Sequence, residues 1–298
     1  MTLVQRLSVV EHLTPAWFVP AMGWAGLGLA WLRAAPELGM PAAQVALFCA
    51  IWSSALWLVV TLAMFLRSRT HSHALRADLH HPVRFTFWAA NPIALLLLTA
   101  LWIPFNIVAI EVVNTLWCLA AVAELACSVW VLLRWVLPAQ KGGVPLASMT
   151  PVAFLPAIGS VLVPLAGVPL GHVTWSAAQL GWGLILWPLA MFQLMRKVRQ
   201  VGPLPERMTP TWFVPVVPPS AVALSVQVMG APNELVWFVW AWAVFFMVYA
   251  LTYAKFIVKL PFNMPHWGLS FPLAAFTSAT VMVLGLGPGL GLQWLGVA

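Results

Sequence analysis

One carboxylate, Glu124, lies deep inside an apolar run. An ionisable group in such a place is a functional candidate by default. It could carry a proton coupled to transport, touch a substrate, or, protonated, hydrogen-bond across a helix interface. Arg84 stands where a basic link enters another apolar run. It could gather anions at the mouth of a path or mark the membrane boundary by snorkelling. His71, His73, His80 and His81 crowd the same link, but no Cys or carboxylate set completes a metal shell around them. They read as a solvated or headgroup-facing stretch, and no metal is expected. Cys49, Cys118 and Cys127 all lie inside apolar runs and read as packing residues. Paired acidic or His residues that could share an intramembrane cavity are missing, so an enzyme is not expected, nor is a cofactor.

Those residues must be positioned by elements of unusual composition. Hydrophobic residues make up 62% of the 298, and Asp, Glu, Lys and Arg together 7%. A soluble domain carries about 25% charge. So few charges cannot cover a water-facing surface, and the chain reads as a polytopic membrane protein. Nineteen Trp agree with this, since Trp collects at the lipid–water boundary. The net charge of +7 does not point to nucleic acid, because the basic residues lie in short links rather than on one soluble face. No cleavable signal peptide is read in Met1 to Leu13, which carry Arg6, Glu11 and His12.

Apolar runs of about 20 residues, the length that crosses hydrocarbon, occur at Thr14–Leu32, Pro41–Leu66, Val83–Pro104, Val108–Leu137, Pro151–Val168, Val173–Met195, Pro210–Gly230, Leu235–Val258 and Trp267–Leu286. Nine spans are expected, and Gly289–Ala298 reads as the start of a tenth. Links after even-numbered spans hold twelve Lys and Arg; those after odd-numbered spans hold only Arg33. By the positive-inside rule the even links and the N-terminus face the cytoplasm of an inner-membrane protein.

A short element recurs. Thr14-Pro15-Ala16-Trp17-Phe18-Val19-Pro20 returns as Thr150-Pro151-Val152-Ala153-Phe154-Leu155-Pro156 and as Thr209-Pro210-Thr211-Trp212-Phe213-Val214-Pro215. Weaker copies start at His81-Pro82 and Met264-Pro265. Each opens an odd span, so one transmembrane domain of five helical hairpins is expected over 1–298, at approximately 14–66, 83–137, 150–198, 209–258 and 265–298. Odd spans carry prolines, among them Pro20, Pro92, Pro156, Pro215 and Pro272, which are expected to kink them. Bent backbone is tolerated in a bilayer where it is packed in protein or lines a water-filled path. The odd helices should therefore form an inner ring in quasi-fivefold arrangement, with even helices outside. Acidic residues are scarce on the odd spans and small hydroxyls supply their polarity (Ser160, Ser220, Ser225, Ser270, Thr277, Ser278, Thr280), which suits an anion better than a cation and would satisfy a neutral solute too. Gly23 and Gly26 read as sites of close helix approach.

The stretch His81-Pro82-Val83-Arg84-Phe85-Thr86-Phe87 and the ninth-span run Trp267-Gly268-Leu269-Ser270-Phe271-Pro272-Leu273-Ala274 resemble the tellurite-resistance/dicarboxylate transporter family. That family includes bacterial TehA proteins, fungal malate and sulfite transporters and plant slow anion channels. The resemblance runs from Thr14 to about Gly287. It implies ten helices, an inner ring around a narrow anion pore, and a homotrimer with one pore per subunit in membrane lipid. It also implies an occluding phenylalanine on the ninth helix, here Phe271. Phe18, Phe85, Phe154 and Phe213 of the repeated element are expected to narrow the same path. The chain departs from the family in lacking most of the tenth helix. Two functions follow as expectations: a channel or channel-like transporter for small inorganic or organic anions, or a proton-coupled carrier of dicarboxylate, sulfite or tellurite-related anions with Glu124 as coupling group.

Overall fold

A computed structural model describes residues 10–286. The expected start of a tenth segment, 289–298, lies outside the described residues. Within them all regular structure is helical.

The first segment opens as a 3-10 turn, Pro15–Trp17, and continues as α1, Phe18–Leu38. Gly39 alone joins it to α2, Met40–Thr70. Its φ of +71° is left-handed, a region where a Cβ would clash, and its N–H caps the Ala35 carbonyl at 2.8 Å. A short helix, α3 (Ser72–His80), precedes the third segment, which is a 3-10 stretch Arg84–Ala89 running into α4, Ala90–Trp102. The fourth is α5, Ile110–Val136. The fifth is a 3-10 turn Pro151–Phe154, then α6 (Leu155–Leu162) and α7 (Pro164–Gly167). After α8, Val173–Gln200, the seventh joins a 3-10 run Glu206–Val216 to α9, Val217–Val228. Then come α10 (Asn233–Leu251), α11 (Ala254–Ile257), α12 (Met264–Trp267) and α13 (Ser270–Leu286).

Seven of these helical segments are long and apolar enough to cross a membrane, against nine expected. The fifth, Pro151–Gly167, is apolar but short, because Pro164 interrupts it. The first is diluted by glycine and by Arg33, which sits within α1 rather than in a link after it. The other bounds differ by about a turn: α2 runs to Thr70, α8 to Gln200, and α10 stops at Leu251.

The expected kinks take another form. Pro20, Pro92 and Pro272 occupy the third position of α1, α4 and α13; Pro156 is in the first turn of α6, and Pro215 ends a 3-10 run just before α9. The first N–H groups of a helix have no intrahelical partner, so proline there forfeits no hydrogen bond. Pro20, Pro92, Pro156 and Pro215 therefore mark changeovers from 3-10 to α winding, and Pro272 the first turn of a helix that follows a short helix and turn, rather than mid-helix bends. Pro164 is a true interruption. Trp117 Nε1 donates to the Val163 carbonyl there (3.1 Å), and Ser225 Oγ to that of Val161, which satisfies backbone that hydrocarbon could not.

Within each of the first four pairs the odd segment packs against its even partner. Odd segments also touch one another in sequence: α1 on α4, α4 on α6, α6 on α9, α9 on α13, and α13 back on α1. Burial follows. The apolar stretches of the third and seventh segments are 67% and 83% buried, whereas the even ones reach 22% to 33%. Even helices present Phe48, Ile51, Val59, Leu119, Ile185 and Phe245 outward, side chains that lipid accepts and water does not. Several tryptophans are cross-helix donors rather than boundary anchors. Trp57 Nε1 bonds Asn91 at 2.8 Å, Trp102 bonds Ser54 at 2.9 Å, and Trp240 bonds Thr280 at 3.0 Å.

Candidate functional site

The repeated element opens with a 3-10 turn on the first, fifth and seventh segments and runs from there into α-helix, while the ninth copy opens as α-helix. Positions i and i+3 lie on one row of a 3-10 turn and on one face of the helix that follows it. Ala16, Val19 and Met22 form such a row on the first segment, as do Val152, Leu155 and Ile158 on the fifth. Thr211, Val214 and Val217 repeat it on the seventh. With Val83 and Phe87 of the third segment and Gly268, Phe271 and Pro272 of the ninth, they enclose a cavity of about 230 Å³ toward the N-terminal ends of the odd segments. Its wall is almost wholly apolar. The Thr211 hydroxyl is turned to the Met208 carbonyl at 2.6 Å.

A second cavity, about 20 Å³, lies toward the C-terminal halves of the same five segments. Gly26, Leu29 and Arg33 come from α1, Leu97 from α4, and Leu224 from α9. Phe271 lines both cavities and is the one residue common to them among the described residues. Gly26 makes room for its ring: a Cβ added there would come 2.8 Å from Phe271 Cδ2. Gly23 similarly receives Ser270.

The other phenylalanines go elsewhere. Phe18, Phe85, Phe154 and Phe213 are all buried, but none lines either cavity. The cause is an offset in the 3-10 row: Phe18, Phe154 and Phe213 each sit one position before a cavity-facing residue. Phe18 and Phe154 enter the main apolar core, and Phe213 joins a smaller cluster with Met247 and Ile257. Phe85 lies edge-on to Trp130 at 5.5 Å, with the Arg134 guanidinium 4.1 Å from its ring. The expected narrowing by these four residues is thus not seen around the cavities, and small or aliphatic residues hold the positions instead.

Arg84 is not a lone cation at the rim. Its Nη1 is 3.1 Å from Asp78, whose fully buried carboxylate also meets Arg67 at 2.7 Å. Arg67 Nε further donates to the Glu11 carbonyl at 3.1 Å. This cluster ties α2, α3 and the third segment together beside the cavity-lining Val83. Asp78 escaped sequence reading because it lies in a polar stretch, and only the fold of α3 brings it to two arginines. The histidines nearby are engaged locally. His73 Nε2 lies 3.1 Å from Glu11, and that hydrogen bond holds the Glu11 carboxyl below its ordinary pKa. His81 Nδ1 accepts the N–H groups of Val83 and Arg84, each at 3.1 Å. Burial, then the Arg84 charge, lowers the pKa of His81, against an opposing pull from Asp78. Among the described residues no three His, Cys, Asp or Glu converge as metal ligands.

Glu124 is fully buried on α5, its carboxyl pressed onto Gly159 of α6. The cross-helix hydrogen bond expected of it is not present among the described residues, where both oxygens lack a partner. Most of the small hydroxyls are also turned inward on their own backbone. Ser160 and Ser220 bond carbonyls four residues back at 2.9 and 2.8 Å, and Ser270 and Thr280 behave likewise. Ser278, in the smaller cavity, makes no hydrogen bond among the described residues. Arg33 is the polar wall residue that sequence reading passed over. The available signal was its position, the one basic residue in any link after an odd span.

Known proteins share this sequence along its length. An uncharacterized transporter of Methanocaldococcus jannaschii is 24% identical over 97% of the chain and 91% of its own length. A tellurite resistance protein TehA homolog of Haemophilus influenzae is 28% identical over 90% of the chain and 80% of its own. The S-type anion channel SLAH2 of Arabidopsis thaliana is 23% identical over 77% of the chain, which spans 44% of that longer protein. A family model described as voltage-dependent anion channel, SLAC1, matches residues 12–298, and the chain belongs to that family of membrane anion channels and transporters.

Proposed function

We propose that this chain is an anion channel whose five odd segments surround one central path, closed at its middle by the Phe271 ring. The observation that carries the reading is the position of Phe271 between two cavities to which all five odd segments contribute wall. The cyclic packing of those segments and the outward apolar faces of the even ones support a quasi-fivefold inner ring shielded from lipid. An aromatic ring can plug a narrow apolar conduit without a fixed charge, and its positive edge tolerates a passing anion. With twelve basic residues in the even links, the larger cavity is the cytoplasmic vestibule and the smaller one the outer half. The N-terminus is then cytoplasmic, in the inner membrane, and a homotrimer with one path per subunit, as the family resemblance implies, completes the reading.

A second reading is favoured by one observation. Glu124, buried without a partner against Gly159, is the kind of carboxyl that could take up a proton during transport, as a proton-coupled carrier of dicarboxylate, sulfite or tellurite-related anions requires. Purified protein in liposomes separates the two. The channel reading expects electrogenic chloride and nitrate flux that is indifferent to a pH gradient and unchanged by Glu124→Gln. Saturating flux that demands protons and is lost in Glu124→Gln would establish the carrier.

A further inference from the structure

Beyond Phe271, the smaller cavity joins two donors from opposite ends of the chain in an otherwise greasy hole. Arg33 comes from α1 and Ser278 from α13, while Leu97, Leu162, Leu165 and Leu224 close the remaining wall. Ser278 is 2% exposed, and its hydroxyl has no acceptor among the described residues. That sets it apart from Ser160, Ser220 and Ser225, whose hydroxyls are spent on carbonyls. Arg33 likewise has no ion pair or hydrogen bond with a described residue, whereas Arg67 and Arg84 share Asp78 and Arg134 is bonded to the Leu79 carbonyl. A guanidinium partly withdrawn from water into leucine side chains is costly unless a negative partner meets it. The cavity supplies a place for that partner, and among the described residues of its wall there is no carboxylate to fill it.

We propose that Arg33 and Ser278 form a binding site for one small monovalent anion of chloride or nitrate size, immediately outside the Phe271 ring. This deepens the channel reading and rests on it for its part in conduction. The chemistry sets the class. A guanidinium offers a planar fork of donors with a fixed positive charge, and a serine hydroxyl adds a donor that rotates to suit. Four leucines cannot replace a hydration shell, so the occupant must be an ion that sheds water easily. About 20 Å³ of space, somewhat above the roughly 10–15 Å³ that is the least to hold a water, admits one small ion and no more. A dicarboxylate has no room, and a divalent oxyanion would bring a second charge with nothing to meet it. The larger cavity, apolar throughout, offers no comparable donor pair. Anions would therefore be selected after the ring and not before it.

The test measures binding apart from conduction. Detergent-purified protein is titrated with nitrate, chloride and sulfate at constant ionic strength, with gluconate as the balancing ion, and the shift of the thermal-unfolding midpoint is followed. Saturable stabilisation by nitrate and chloride but not sulfate is expected. Arg33→Gln should weaken it at least about tenfold and Ser278→Ala about threefold, the scale of losing a charged and a neutral hydrogen bond. Arg33→Lys should restore part of it by keeping the charge. Equal stabilisation of wild type, Arg33→Gln and Ser278→Ala, or none in wild type, would overturn the site. Should Arg33→Gln not fold, Ser278→Ala and Arg33→Lys decide it: unaltered binding in both rejects the proposal. In a Phe271→Ala background, Arg33→Gln should also lower the anion-to-cation permeability ratio read from the reversal potential. Arg33-dependent binding without any conduction in that background would keep the site and reject the channel reading.

Discussion

The two cavities on either side of Phe271 are built by the same five segments and differ in almost everything else. The inner-end cavity is about 230 Å³ and apolar, the one hydroxyl among its described residues turned away to a carbonyl. The other is about 20 Å³ and has Arg33 in its wall beside Ser278, whose hydroxyl bonds no described residue. Distance from the repeated element accounts for the difference. Around the wide cavity, at the openings of the odd segments and the first helical turns after them, rows of every third residue face inward, and the repeated element fills them mostly with Ala, Val, Leu and Thr. Farther along the α-helices the inward face no longer follows the repeat, so each segment contributes its own side chain. A duplicated element can thus give a symmetric vestibule, while the polar chemistry sits where the copies have diverged.

Four variants would break or sharpen that contrast. The largest effect is expected at the rim of the wide cavity. Asp78→Ala leaves Arg67 buried without its counter-charge and should cost about 3–5 kcal/mol, read as a lowered thermal-unfolding midpoint in detergent. Equal stability would show that the cluster does not hold the rim. Next is Gly159→Ala, which drives a methyl into the Glu124 carboxyl and should cost about 1–3 kcal/mol. Gly159→Ala combined with Glu124→Ala should recover much of the loss; no recovery would mean that the contact is not the cause. A smaller effect is expected between the cavities. Gly26→Ala forces the Phe271 ring from its seat, an off-rotamer strain of about 0.5–1.5 kcal/mol, and should change anion flux about two- to tenfold with the fold intact. The least is a pH effect at His81. Its folded pKa lies below the ordinary 6.5, so its contribution is complete above that pH and is lost as pH falls through the lower folded value. Protonation removes the acceptor for the Val83 and Arg84 N–H groups. His81→Gln should flatten the acid limb of the stability profile slightly.

Most of the apolar segments were readable in the sequence because proline and glycine punctuate it and lipid demands long apolar runs. The repeat announced which helices share an environment. It did not announce which face of each looks inward, because a 3-10 start shifts the register by an amount that composition does not encode. Phe18, Phe154 and Phe213 consequently looked like path residues and are core residues, while Val19, Leu155 and Val214, one position on, face the cavity. Phe271 was singled out in the sequence by its place beside Pro272 in a distinctive run, and it lines both cavities. Asp78 was not, since its partners Arg67 and Arg84 lie on other elements, α2 and the third segment. Arg33 looked like a link residue because hydropathy ended the first span at Leu32, whereas the helix continues to Leu38 and carries it to the cavity wall.

The central claim is that Phe271 divides one continuous conduit. Planar-bilayer recording of purified wild type and Phe271→Ala, in symmetric and then asymmetric chloride, tests it directly. The account predicts an increase in conductance on the order of tenfold or more, equivalent to about 1.4 kcal/mol of barrier removed, with a reversal potential that follows the chloride gradient. A folded Phe271→Ala protein whose currents match wild type, or reverse with the cation gradient, would contradict it.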